Sequence, residues 1–130
     1  MKVKFRSVEH KEFFLKCMNE CSNQDSYHRA FFYTVGISES CRLNFNSIYD
    51  KENDRIKPEG LYGGWQTSGS DRATRLAFNL WNGFVEEGHE KDSTPYELFT
   101  CEYAPYYMEA IKIKYPEYCR DHLSIDDKER

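Results

Sequence analysis

Residues 70–84 read "SDRATRLAFNLWNGF", and their spacing decides the fold class. Ala73, Leu76, Ala77, Leu80, Trp81 and Phe84 fall at i, i+3, i+4, i+7, i+8 and i+11, the repeat of an amphipathic helix with one apolar stripe. Arg72, Arg75, Asn79 and Asn82 take the other faces. A stripe this regular marks a central core helix. "EEGHEKDS" at 86–93 is then an exposed break, with Gly88 as the stop. On the N-terminal side, residues 50–69 carry charge, one proline and four glycines with no helical period. Connections of that length are uncommon in compact domains, yet Leu61, Tyr62 and Trp65 argue for order there.

Further toward the N-terminus, "KVKFR" at 2–6 alternates apolar and basic residues as a half-buried strand does. Its only candidate partner lies around "RIKPEGLYGGW" at 55–65, so it forms either a small two-stranded ribbon or an arm over the core. Ser7 is a plausible N-cap for a helix with Phe14, Cys17, Met18 and Cys21 on one stripe. A second helix is predicted over Ser26–Val35, burying Tyr27, Ala30, Phe31 and Thr34, with Gly36 as a left-handed C-terminal cap. Ser38 caps a third, with Cys41, Phe45, Ile48 and Tyr49 inward.

The last third repeats a theme, since "TPYELF", "APYYME" and "YPEYC" each place proline at a first helical turn, and Thr94 to Glu97 spells a capping box. Helices over 95–100 and 105–115 follow, then a turn and a polar tail at 121–130. The expected fold is mainly α: a compact bundle of five to six short helices, with a small two-stranded ribbon as an option, in one domain over 1–120.

The 130 residues are enough for such a domain to bury about two-thirds of its unfolded surface. Aromatics make up 16% of the chain, and 22 acidic residues against 18 basic give a net charge of −4. That balance argues against a duplex-binding protein and suits a partner with a basic, nucleic-acid-binding surface. No apolar run reaches the ~20 residues of a membrane span, and no signal-peptide core is evident, so a cytoplasmic location is expected. Five cysteines without a regular framework fit buried thiols. His10, Cys17 and Cys21 could share a helix face, but no paired C/H hairpins accompany them, and no metal or cofactor is expected.

Two candidate sites stand out. Ser68, Gly69 and Ser70 lie at the mouth of the 70–84 helix, where free N–H groups and the helix dipole attract anions, with Arg72 and Arg75 placed to close over a phosphate. The competing account is that Ser68 or Ser70 caps the helix while Asp71 complements its dipole. This is no Walker or dinucleotide-binding loop. The second candidate is an interface of Tyr62, Trp65 and Gln66 with Tyr106 and Tyr107 of the tyrosine-rich C-terminal segment; Trp65 serves equally well as a lid on the bundle. No catalytic set is found: the histidines are scattered, with His28 read as a surface residue, and adjacent pairs such as Glu86 and Glu87 read as solvated charge.

Together "GWQTSGSDRATRLAFNLWNG", "STPYELF", "YAPYYMEAIK" and "YPEYC" resemble a family of small proteins, a domain of unknown function found in Firmicutes and their phages and mobile elements, over residues 8–120. The resemblance implies a bacterial or phage cytoplasm and carries over no catalytic residue. The expected function is a non-enzymatic protein-interaction module, an anti-CRISPR-like inhibitor of a host defence or nucleic-acid-processing protein. The alternative is a small ligand-binding domain or enzyme acting on a phosphorylated metabolite or nucleotide at the 66–75 helix mouth. A third reading is direct nucleic-acid binding by Arg72, Arg75, Lys112 and Lys114 with Trp65 stacking.

Overall fold

The structure, a computed structural model, describes residues 2–119; the tail read at 121–130, with His122, lies outside them. Ser7 caps α1 (Val8–Glu20) as its position predicts, its side chain accepting from the His10 N–H. Asp25 does the same for α2 (Ser26–Gly36), and Ser38 for α3 (Glu39–Leu43). The third helix is shorter than its apolar spacing suggests. Asn44 ends it, Phe45–Ser47 forms a 3-10 turn, and Tyr49 leaves the helix to start β1 (Tyr49–Asp50). That strand pairs antiparallel with β2 (Arg55–Ile56), Tyr49 opposite Ile56. So the two-stranded ribbon exists, and it includes "RI" of the predicted stretch, but residues 2–6 are not its other strand.

Those residues form the arm instead. The Lys4 N–H donates to Glu109 at 2.9 Å, the Tyr33 hydroxyl donates to the Lys4 carbonyl, and Phe5 packs on His10, Phe14 and Tyr33. The arm thereby covers a seam of the core.

The 70–84 stripe becomes α4 (Ser68–Asn82), with Ala73, Leu76, Ala77 and Leu80 buried as predicted. It ends earlier than Gly88. Gly83 sits at φ 80°, a left-handed cap that costs a residue without a β-carbon little, and its N–H donates to Asn79. A 3-10 turn at Glu90–Ser93 leads to α5 (Pro95–Leu98), α6 (Ala104–Lys114) and α7 (Pro116–Cys119). Proline stands in the first turn of all three as the repeat predicts, but Thr94 makes no capping box, its hydroxyl donating to the Lys91 carbonyl instead. Among the described residues there are thus seven α-helices, four of eleven residues or more, around one hydrophobic core.

The centre of that core is α2 rather than α4. It packs against α1, α3, α4 and α6, and Phe31, Phe32, Tyr33, Thr34 and Val35 are all buried, so its burial has no helical stripe. Tyr27, predicted inward, is exposed. Gly36 is helical and not left-handed; a β-carbon there would lie 2.8 Å from the His10 ring, so glycine is needed for close approach of α1. The carbonyls of the last α2 turn, which have no partner in the helix, are all met: Tyr33 by His10, Thr34 by the Ile37 N–H, Val35 by the Ser38 N–H and Gly36 by Arg42. A helix end can be buried only when such groups are satisfied.

Candidate functional site

At the mouth of α4 the N-cap is Thr67, not Ser68 or Ser70. Its side chain accepts from the Ser70 N–H at 3.0 Å, while Ser70 Oγ accepts from the Thr67 N–H at 2.7 Å, a reciprocal capping box. Ser70 is fully buried and also donates to Gln66 Oε1 at 2.6 Å. Gln66 in turn donates to the Gly60 carbonyl and to Thr74. Of the five residues read as an anion site, Ser70 is therefore engaged internally and Gly69 lies against the Tyr103 ring, while Ser68 and Arg72 border a surface hollow with Asp71, Asp92 and Glu97. Arg72 donates to the Glu97 and Ser68 carbonyls. Three carboxylates around one guanidinium make that hollow a poor seat for phosphate.

Arg75 turns inward. Only 8% exposed, it donates from Nε to Asp71 at 2.8 Å and pairs through Nη2 with Glu86 at 2.8 Å. Glu86, read from sequence as solvated charge, is equally buried. The Tyr62 hydroxyl donates to the other Glu86 oxygen. The Tyr62 hydroxyl first, and then Arg75, hold the Glu86 carboxyl below the usual carboxylate range against the opposing effect of burial. The consequence lies at the surface: the Tyr62 ring is 74% exposed while its hydroxyl is tied to a buried ion pair. Trp65, half-buried, lies with its indole nitrogen over Gly63, and Gln66 completes the ordered loop. The C-terminal tyrosines do not join this surface. Tyr107 is fully buried, packed on Phe99 and Tyr103, which removes it from any interface, and Tyr106 is half-buried beside His10.

A second polar cluster has no counterpart in the sequence reading. His28, 5% exposed rather than on the surface, meets Asp25 through Nδ1 at 2.7 Å and Asp54 through Nε2 at 2.9 Å. The Tyr49 hydroxyl donates to Asp54 as well. An imidazole facing a carboxylate from each nitrogen needs both N–H groups, so this geometry calls for imidazolium. Burial works against that charge, but the two carboxylates outweigh it and raise the His28 pKa. The cluster ties the start of α2 to the β-hairpin, and Asp54, at φ 54°, takes a left-handed conformation to reach it. One local signal exists, Asp25 three residues before His28 at a helix start; Asp54 comes from 26 residues away.

All five cysteines are free thiols. Burial pushes Cys17 up to about 12, which keeps it unreactive. Among the described residues no group of three His, Cys, Asp or Glu side chains is placed to hold a metal ion, and no helix is long and apolar enough to cross a membrane.

A family model described as a family of unknown function, DUF6075, matches residues 1–127. The chain belongs to DUF6075. No curated protein and no solved structure matches it.

In this DUF6075 chain His10 is the counterweight to His28. Fully buried, it accepts from the Arg6 N–H at Nδ1 and donates from Nε2 to the Tyr33 carbonyl at 2.7 Å, the arrangement of a neutral ring. Burial lowers its pKa from 6.5 to about 4. Its contribution to stability is therefore complete above pH 6.5 and lost as pH falls toward 4, because the unfolded chain takes up the proton first. His28 has the opposite sign: its contribution is complete below 6.5 and lost as pH rises through its raised folded value. The difference in Tm between wild type and His28→Gln should accordingly shrink as pH rises from 6.5 through that folded value. A difference that stays constant from about pH 5 to 9 would mean that folding leaves the imidazole pKa unchanged, and one that grows as pH rises past 6.5 would mean that the ring is neutral in the fold.

Proposed function

We propose that this DUF6075 chain is a non-enzymatic protein-interaction module whose partner docks on the Tyr62 loop. The observation that carries the reading is the exposed Tyr62 ring with its hydroxyl held by the buried Glu86–Arg75 pair. An interface anchor of this kind brings a large amphipathic surface to a partner at little cost in conformational entropy. The internal engagement of His10, His28, Ser70 and Arg75 supports a binding role over a catalytic one, since each of these side chains already has structural partners, Arg75 leaving only its buried Nη1 unpaired. The net charge of −4 favours a partner with a basic surface. In this reading the module acts in the cytoplasm, encoded by a phage or mobile element of Firmicutes, and inhibits a host defence or nucleic-acid-processing protein, the setting that the family resemblance implies.

The test is affinity co-purification from a host lysate with wild type, Tyr62→Phe and Tyr62→Ala. Tyr62→Ala removes no buried apolar side chain, although it takes one hydrogen bond from the buried Glu86, and should weaken recovery of the enriched partner at least tenfold, with Tyr62→Phe, which loses the same bond but keeps the ring, intermediate. Equal recovery by wild type and Tyr62→Ala would sink the assignment of this loop.

A further inference from the structure

The β-hairpin stands away from the end of α1 and leaves a cleft of about 210 Å³. Its floor is aromatic: Phe45 and Tyr49 stack with centroids 5.2 Å apart, and Phe32 lies edge-on to both. Its rim is charged, with Glu20, Glu52 and Asp54 against Lys51. The volume is below the roughly 300–1,000 Å³ of ordinary small-molecule sites, so the cleft suits one side chain rather than a nucleotide. The negative faces of aromatic rings and an excess of carboxylates both favour a cation, and the acidic rim would resist a plain hydrocarbon that desolvated it.

We infer that the cleft receives an arginine side chain of a basic partner protein, its stem on Phe45 and Tyr49 and its guanidinium among the rim carboxylates. Asp54 is the best-ordered acceptor. Oδ1 takes the Tyr49 hydroxyl and His28 Nε2, whereas Oδ2 takes only His28, which leaves an acceptor position on a carboxylate already locked in place. The planar guanidinium can stack on a ring and pair with a carboxylate at once, which a lysine ammonium cannot. Lys51, which donates to Glu20 at 2.9 Å, competes for the same rim. The inference rests on the interaction-module reading only in assigning the cation to a protein; the cleft lies apart from the Tyr62 loop, and its ligand can be tested without that surface.

The experiment is a titration of the whole chain with doubly blocked arginine, Nα-acetyl-arginine methylamide, followed by NMR or calorimetry. Saturable binding that perturbs the Tyr49 and Phe45 rings is expected. Glu20→Gln with Glu52→Gln, both at the rim, should weaken it at least fivefold, Asp54→Asn should weaken it further, and Lys51→Ala should tighten it at low salt. Blocked citrulline, uncharged and nearly the same shape, should not bind. The assignment is overturned if citrulline or blocked lysine binds as well as arginine, or if the glutamine variants bind unchanged. It is also overturned if free agmatine binds more than tenfold tighter than blocked arginine, which would make the ligand a small amine. Failure here leaves the Tyr62 co-purification result standing, and loss of that result leaves arginine binding measurable.

Discussion

Replacing Arg75 with methionine should lower the free energy of unfolding by about 3 kcal/mol and the Tm by roughly 10 °C. The guanidinium separates two carboxylates, Asp71 and Glu86, from positions 2.8 Å away on each side. Methionine fills comparable space but leaves Glu86 buried without its counter-charge, and removing one partner of a buried pair costs about 3–5 kcal/mol. We take the low end because the Asp71 side chain keeps about a third of its surface in water. Thermal unfolding at neutral pH measures the loss. The physical cause is checked by Arg75→Met with Glu86→Leu, which replaces both charges by apolar groups and should recover much of the stability. If the double variant is no more stable than Arg75→Met alone, electrostatics is not the reason for the loss. Because the Tyr62 hydroxyl depends on Glu86, the double variant should also lose the orienting bond of the exposed ring, joining core stability to the proposed docking surface.

The second large effect is expected at Phe31. Its ring is fully buried, with centroids 5.8, 5.3 and 5.1 Å from those of Phe32, Tyr49 and Trp81, so it joins α2 to the β-hairpin and to α4. Phe31→Ala removes the contact surface and leaves a cavity that such a packed environment cannot collapse to fill, at a cost of about 4 kcal/mol. In urea the midpoint should fall with no change in slope, since the surface exposed on unfolding stays nearly the same. Phe31→Leu, which keeps much of the volume, should cost distinctly less. A loss below about 1.5 kcal/mol for Phe31→Ala would be incompatible with α2 as the centre of the core.

That position of α2 shows where pattern reading works. The α4 stripe was legible because one side of that helix faces water, so burial and hydrophobicity share a 3.6-residue period. In α2 nearly every residue from Ala30 to Gly36 is buried, and a helix enclosed by four others has no such period to read. Cys41, Phe45, Ile48 and Tyr49 illustrate the opposite error. Their spacing is helical, yet the chain leaves the helix at Asn44, and a turn and strand deliver Ile48 and Tyr49 to the same core. Spacing identifies residues bound for the interior more reliably than the backbone that takes them there.

The candidate sites divide in the same way. The exposed Tyr62 loop and its order could be anticipated from Leu61, Tyr62 and Trp65 among glycines. The fate of Glu86, His28 and Asp54 could not, because each is decided by a partner brought near by folding, Tyr62 from 24 residues away for Glu86, and 26 residues between His28 and Asp54.

By itself the sequence determined a mainly helical chain, most of its helix starts, the apolar face of α4 and the proline-led helices near the C-terminus. Each of these follows from interactions within about one helical turn, where residue type and spacing are sufficient cause. Tertiary structure alone decided which helix lies at the centre, which charges are buried as pairs, and that the hairpin and α1 enclose an acid-rimmed aromatic cleft. Those outcomes depend on distances between residues far apart in the chain, and the desolvation that makes a charge or a ring consequential arises only when the elements pack.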